Sequence, residues 1–243
     1  MNNQHFNKQY LGFTLVEMAI VLVILGFVLG ALLLPLQAQR QQVFQAQTNS
    51  TLNNAKQALL GYAQSNGRLP CPATAASNGA ESPLGGGLCT QQVGFLPAAT
   101  LGVQPTDTQG FAVDAWNNRI LYAVTSANGN AYSFTTTNAM NTLGIPTLIP
   151  NLRVCGTSIP ANCTATINLI NSAVVVIYSL GATGSQPAGG TDETENLNAV
   201  VNIDNVFVSH EPTETAGNEF DHVVTWISPF VLYNAMIQAG QLH

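Results

Sequence analysis

One carboxylate stands inside the most apolar stretch of the chain. Residues 13–36 carry a single charged side chain, Glu17, and one other polar side chain, Thr14. As an α-helix this stretch would rise about 36 Å, which is enough to cross a bilayer core of about 30 Å. A carboxylate in lipid costs roughly 2.5–3.5 kcal/mol, so Glu17 is expected to have a cationic partner and a function.

The cation that suits Glu17 best is an α-amine. If the chain were cut between Gly12 and Phe13, Phe13 would carry a free amino group four residues before Glu17. This amine could pair with Glu17 of its own chain or of a neighbour, which removes two unpaired charges from lipid together. A conventional secretory signal fits poorly, because its apolar core spans only about 7–15 residues.

The sequence GFTLVE at residues 12–17, followed by the apolar helix, resembles the cleavage and methylation motif of type IV prepilins and pseudopilins. The resemblance implies that a prepilin peptidase cuts after Gly12 and that the new amine of Phe13 is methylated. It also implies that Glu17 supports assembly and that Pro35 loosens the helix. The chain is then expected to be a structural subunit, a minor pilin or a pseudopilin, of a type IV pilus or a type II secretion filament.

The same resemblance implies the partners and the location. The partners would be other pilin or pseudopilin subunits, the prepilin peptidase and N-methyltransferase, and the inner-membrane assembly platform. The protein would cross the bacterial inner membrane once, with its head in the periplasm, before it enters a periplasmic or surface filament. Two alternatives stay open, an adhesive or ligand-binding component of a filament tip and a membrane-anchored enzyme.

The pattern along the chain divides it into four parts. These are a leader peptide at 1–12, a transmembrane and assembly helix at 13–36, an amphipathic continuation at 37–66 and a head at 67–243. Asn66-Gly67 should end the helix. Strands are predicted at 119–125, 131–135, 173–180, 200–208 and 222–227, with antiparallel pairing, and Ser228 should cap a final helix at 229–239. The predicted class is α+β and pilin-like, with a long N-terminal helix packed on an antiparallel sheet and a short C-terminal helix.

Four cysteines lie in the predicted head: Cys71, Cys89, Cys155 and Cys163. An even number of cysteines in an exported protein favours disulfides, because the compartment is oxidising. Neighbours along the chain would pair as Cys71–Cys89 and Cys155–Cys163, although three connectivities are possible. Zinc is the competing interpretation, but closely spaced cysteine pairs of the CxxC kind are absent.

Charge excludes one class of partner. Charged residues make up only 7% of the chain and the formal net charge is -6. The six basic residues are scattered, so no basic face for nucleic acid is expected. Eight of the twelve acidic residues fall between 192 and 221. Oxygen atoms in this segment could bind calcium, through Asp192, Glu193, Glu195, Asn196 and Asp204, although an acidic loop is more often simply solvated.

No catalytic motif stands out, and the chain is not expected to be an enzyme or to need another cofactor. The pairs His210-Glu211 and Asp221-His222 place acids beside histidines, but neighbours on a strand point to opposite faces. A GxSxG context for a nucleophilic serine is missing, and the glycine-rich run at 181–190 lacks the lysine of a phosphate-binding loop.

Overall fold

The computed structural model describes residues 12, 14–126, 132–158, 167–184, 190–197 and 205–243, without the side chains of residues 31–38. Its first element is helix α1, Leu15–Asn66. Gly67 ends α1 with a φ of 64°, a left-handed conformation that glycine adopts without a Cβ clash. Its backbone N–H donates to the Ala63 carbonyl at 2.9 Å, which confirms the predicted helix end.

The chain divides into two compact units, Met1–Val43 and Phe44–His243. The described part of the first unit consists of Gly12, Thr14 and the portion of α1 that ends at Val43, and the rest of α1 belongs to the second unit. Pro35 lies within α1, but its side chain is outside the described part, so the predicted kink stays a prediction.

The second unit is built from short helices and strands. In chain order they are β1 Val93–Phe95, α2 Ala98–Leu101, β2 Leu121–Val124, α3 Ala139–Leu143, a 3-10 turn Ile145–Thr147, β3 Leu152–Cys155, β4 Asn168–Ala173, β5 Val175–Ser179, α4 Thr191–Glu195, β6 Val206–Val208, β7 Val223–Ile227 and α5 Pro229–Gln238.

The strands form two sheets. The first is antiparallel throughout, in the order β1-β2-β5-β7, and the second has the order β4-β3-β6. In the second sheet β3 runs antiparallel to β4 but parallel to β6. The predicted antiparallel sheet is confirmed by the first sheet. The parallel pair of β3 and β6 was not predicted, and its strands are joined by a long connection instead of a hairpin.

The first sheet is covered on both faces. On one face, alternate residues such as Tyr122 and Ile177 pack with Leu52 and Leu59 of α1 and with Leu232 of α5. On the other face, residues such as Ala123, Val176 and Tyr178 pack with Val154 of β3 and Phe207 of β6. Because a strand turns successive side chains to opposite faces, this double coverage explains why β2 and β5 are buried at every position.

The predicted class is confirmed, but several strands are not where the sequence placed them. The predicted strand at 173–180 is in fact the end of β4 and all of β5, since the chain bends at Val174 and passes from the second sheet to the first. Residues 132–135 of the predicted strand 131–135 form a turn, and Tyr132 has a φ of 81°. Residues 200–204 lie outside the described part of the chain, whereas β1, β3 and most of β4 were not predicted.

Candidate functional site

The start of α1 is a capping box formed by Thr14 and Glu17. Glu17 Oε2 accepts hydrogen bonds from the Thr14 backbone N–H and from Thr14 Oγ1, each at 2.9 Å. In return the Glu17 N–H donates to Thr14 Oγ1 at 3.3 Å. The arrangement satisfies free N–H groups at the helix start. Sequence reasoning gave Glu17 a role in assembly and missed this local one, although the spacing Thr-x-x-Glu is its signal.

Gly12, the residue before the predicted cleavage point, is exposed to solvent. A Cβ placed on it would have no atom of a described residue within 4 Å, its chain neighbours aside. The described residues therefore place no steric requirement for glycine at this position. Phe13, the other residue of the predicted cleavage point, lies outside the described residues.

The first turns of α1 leave their large apolar side chains uncovered. Leu15 is 87% exposed and Phe27 is 77% exposed. The other members of this surface are at least about half exposed: Val16, Met18, Ile20, Val21, Leu22, Val23, Ile24, Leu25, Val28 and Leu29. A continuous apolar surface of this kind marks a site of contact with protein or membrane. Within the described residues, no helix combines the length and the apolarity that a membrane crossing requires.

The segment that follows α1 is fixed by a buried ion pair and a disulfide. Arg68 and Glu81 are joined by two hydrogen bonds of 2.8 Å and 2.7 Å, with side chains only 5% and 4% exposed. Glu81 also accepts from the backbone N–H of Cys71 at 3.2 Å. Burial by itself raises the pKa of the Glu81 carboxyl, but the hydrogen bonds and charge of Arg68 outweigh burial, so the pKa lies below its ordinary value.

The cysteines follow the predicted pattern as far as the structure describes them. Cys71 and Cys89 form a disulfide, which confirms the first predicted pair. Cys155 also takes part in a disulfide. Cys163 lies outside the described residues, so its pairing with Cys155 stays a prediction.

The residues proposed for calcium have different partners. Asp192 accepts from the Ser158 N–H and lies 3.2 Å from His210 Nε2. Asn196 makes two hydrogen bonds with Val208. The Val208 N–H donates to Asn196 Oδ1 at 2.7 Å, and the Val208 carbonyl accepts from Asn196 Nδ2 at 2.8 Å.

Glu193 and Glu195 lie on the same short helix α4, and Asp204 is outside the described residues. Among the described residues, the acidic side chains of Asp192, Glu193 and Glu195 do not come together as one group of metal-ligating atoms, and calcium binding stays a prediction.

A different group forms around Glu193. One ligand-type atom each of Glu193, Asp221 and His222 lies within 4.8 Å of the others. Asp221 and His222 both precede the strand, so the expectation that neighbours point apart is wrong here. Burial, with the nearby charge of Asp221, raises the pKa of Glu193. Burial lowers the pKa of His222 to about 4, which keeps the imidazole neutral at physiological pH.

A cleft of about 480 Å³ opens beside the first sheet. Its described lining is mainly apolar, with Phe95, Leu121 and Leu197, and its polar members include Asn118 and Arg119. Arg119 lies over the Phe111 ring at 4.1 Å and pairs with Asp107 at 2.7 Å. The charge of Arg119 is therefore already compensated within the chain.

Comparison with known proteins bears on the amino-terminal segment alone. Residues 7–33 match the family described as the prokaryotic N-terminal methylation motif. The chain thus carries the type IV prepilin-type signal that its sequence resembles. No match was found among curated proteins or among solved structures.

Proposed function

We propose that this chain is a minor pilin or pseudopilin, a structural subunit of a type IV pilus or of a type II secretion filament. A prepilin peptidase removes residues 1–12, and the new amine of Phe13 is methylated. The helix at 13–36 then serves as membrane anchor and assembly element, residues 37–66 continue it, and residues 67–243 form the head outside the inner membrane.

The observation that carries this proposal is the uncovered helix behind the matched motif. The match at residues 7–33 covers the cleavage point and all of the exposed apolar residues between Leu15 and Leu29. An exposed apolar helix is unfavourable in water, because burial of apolar surface contributes about 25 cal/mol per Å². Lipid covers this surface before assembly, and the same helices of neighbouring subunits cover it within the filament.

The Glu17 carboxylate can act both in the membrane-bound subunit and in the assembled filament. Its Oε2 caps the helix through Thr14, whereas its Oε1 makes no hydrogen bond to any described residue. Cleavage after Gly12 creates an amine next to this cap, and Oε1 can accept from it without loss of the capping box. The amine of the same chain or of a neighbouring subunit then neutralises the carboxylate in a low-dielectric surrounding.

The partners follow from this proposal. They are other pilin or pseudopilin subunits, the prepilin peptidase and the assembly platform in the inner membrane. The head has its own core of α1, α5 and two sheets, which is what a subunit needs to stay folded before and after transfer from lipid to filament.

Replacement of Gly12 tests the processing step. Gly12→Ala adds a methyl group where no atom of a described residue beyond its chain neighbours lies within 4 Å, so the fold should be unchanged while cleavage fails. Gly26→Ala is the matched control, since Gly26 has equally open surroundings on the same segment. Intact-mass measurement of protein from the native host should show the full precursor for Gly12→Ala and the shortened chain for Gly26→Ala. A normal mature mass for Gly12→Ala would remove the proposal.

Replacement of Glu17 tests assembly separately. Glu17→Gln keeps an oxygen that can accept from Thr14 but removes the charge that the amine requires. We expect normal cleavage and normal amounts of membrane-bound subunit, together with loss of this subunit from isolated filaments. Thr14→Ser, which keeps the capping hydroxyl, is the control and should assemble. Normal incorporation of the Glu17→Gln subunit would show that the charge has no role in assembly.

A further inference from the structure

Three side chains far apart in sequence meet between α4 and β7. Glu193 is the third residue of α4, and Asp221 and His222 lie immediately before β7. One atom of each side chain that could bind a metal lies within 4.8 Å of the other two. Two carboxylates and an imidazole form a donor set that proteins use for divalent metal ions of the zinc class.

Glu193 carries an oxygen that the protein leaves unsatisfied. The residue is 1% exposed, and its Oε2 is buried without a hydrogen-bond partner among the described residues. A buried carboxylate oxygen without a donor is costly, because it has lost its hydration and gained nothing in exchange. This atom belongs to the same carboxylate that takes part in the cluster, so a ligand that accepts its lone pair would relieve the cost.

The other carboxylate oxygens are held in place by donors. The Asp221 N–H donates to Glu193 Oε1 at 3.1 Å. Thr183 donates twice to Asp221, from its N–H to Oδ2 at 2.9 Å and from its hydroxyl to Oδ1 at 3.1 Å. Such outer hydrogen bonds orient carboxylate ligands around a metal, and each Asp221 oxygen keeps a second lone pair for it.

The acidic segment around this cluster carries no cation. Residues 192–221 contain no lysine or arginine, and Glu219 adds a further negative charge nearby. In the described part of the chain, the ion pairs of Arg68 and Arg119 are made with Glu81 and Asp107 and not with this cluster. A bound cation would supply the compensating charge.

We propose that Glu193, Asp221 and His222 bind a divalent transition-metal ion of the zinc class. Glu193 Oε2, one Asp221 oxygen and a ring nitrogen of His222 are the protein ligands, and water completes the coordination shell. The imidazole nitrogen distinguishes this site from a calcium site, because calcium takes oxygen ligands almost exclusively. The bound ion would tie α4 to the edge strand β7 of the first sheet.

The surroundings of His222 limit how tightly this ion binds. Nδ1 of His222 lies 3.2 Å from the Asn196 amide nitrogen, so Nε2 is the nitrogen left for the metal. Metal binding at Nε2 places the ring proton on Nδ1, and the Asn196 amide must then turn its oxygen towards the ring. This turn would place the amide nitrogen against the Val208 N–H and the amide oxygen against the Val208 carbonyl, so both hydrogen bonds between Asn196 and Val208 would be lost. We therefore expect weaker binding than in structural zinc sites.

The test uses the full chain in detergent, stripped of metal with EDTA, dialysed and titrated calorimetrically with ZnCl₂. We expect one zinc ion per chain at this site and a higher melting temperature with zinc. Glu193→Gln and Asp221→Asn should each weaken binding at least tenfold. Glu193→Gln keeps the size of the side chain and removes a buried charge, so the variant should fold. Glu214→Gln, an exposed acid of the same acidic segment, is the matched control and should bind zinc like the parent chain.

Two readouts distinguish a site with a nitrogen ligand from an oxygen-only site and from binding elsewhere on the chain. Cobalt(II) in place of zinc should give visible absorption bands of a nitrogen-bound ion, and His222→Asn should abolish or shift them. Equal affinity for calcium and zinc, with no effect of His222→Asn, would overturn the proposal in favour of an oxygen-only site. Unchanged zinc affinity in Glu193→Gln would also overturn it, because zinc would then be bound elsewhere, for example at surface histidines.

Discussion

The two fully buried tyrosines of the first sheet should respond in opposite ways to the same substitution. Tyr122 and Tyr178 are both 0% exposed. The Tyr122 hydroxyl donates to the Pro70 carbonyl at 2.9 Å, whereas the Tyr178 hydroxyl is buried without a hydrogen-bond partner among the described residues. Burial raises the pKa of both hydroxyls, so both are neutral and replacement by phenylalanine changes no charge.

The expected sizes follow from the hydrogen bonds. Tyr122→Phe removes a buried hydrogen bond and leaves the Pro70 carbonyl without this donor, which should lower the free energy of unfolding by about 1–2 kcal/mol. Tyr178→Phe removes a desolvated hydroxyl that gains nothing in return, so it should raise the free energy of unfolding by about 1 kcal/mol. The ring of Tyr178 packs against Phe207 with centroids 5.3 Å apart, and phenylalanine preserves this contact.

Urea unfolding of a chain shortened to residues 44–243, with disulfides intact, measures both changes. That range is the second compact unit, and far-UV and near-UV circular dichroism of the parent chain should first confirm that it is folded. The slopes of the urea transitions should be equal, so that a shift of the midpoint reports stability alone. If Tyr178→Phe lowers stability as much as Tyr122→Phe does, the Tyr178 hydroxyl has a partner such as an ordered water, and the reasoning fails.

Three further outcomes can be measured on the same shortened chain. Glu81→Gln should lower the free energy of unfolding by about 3–5 kcal/mol, because it leaves the Arg68 charge buried without its partner. The double change Arg68→Met with Glu81→Leu should lower it much less, because neither charge remains. Equal losses of free energy in the two variants would show that the pair is not strongly coupled. Because the folded-state pKa of Glu81 lies below its ordinary value, its contribution is fully present above the unfolded pKa and is lost as the pH falls through the folded pKa. Acid titration of stability should thus be shallower in Glu81→Gln than in the parent chain, and parallel curves would contradict the assignment. Cys71→Ser with Cys89→Ser opens a loop with a sequence separation of 18, which should lower stability by about 3 kcal/mol. Reduction of the parent chain should lower stability by at least as much, because it also opens the disulfide of Cys155.

The features that the sequence determined by itself are those that depend on near neighbours along the chain. The end of α1 at Gly67 requires a left-handed residue, and glycine supplies it wherever the rest of the fold lies. The start of α5 is similar, since Ser228 Oγ accepts from the Val231 N–H three residues later. The prepilin-type signal at residues 7–33 is likewise a matter of spacing within one segment, and it was recognised without any structure.

Tertiary structure decided everything that depends on distant pairing. Residues 173–180 have the composition of a strand, as predicted. Only the presence of two sheets explains why the chain bends at Val174, with β4 in the second sheet before the bend and β5 in the first sheet after it. The parallel pairing of β3 with β6 cannot be predicted from the residues of either strand. The direction of a strand relative to its neighbour depends on the connection between them and not on the residues that pair.

The same limit applies to the polar sites. Glu81 lies 13 positions after Arg68 in the sequence and Asp221 lies 28 positions after Glu193, yet the members of each pair are in contact. Composition located the acidic segment, but which carboxylates meet depends on the packing of α4 against the start of β7. For the segment at 12–17 the sequence predicted the cleavage point and the role of Glu17 in assembly, and the structure added that Glu17 also caps the helix through Thr14. Local spacing thus located the prepilin-type signal of this protein, whereas the polar sites of the head exist only because the fold brings distant residues together.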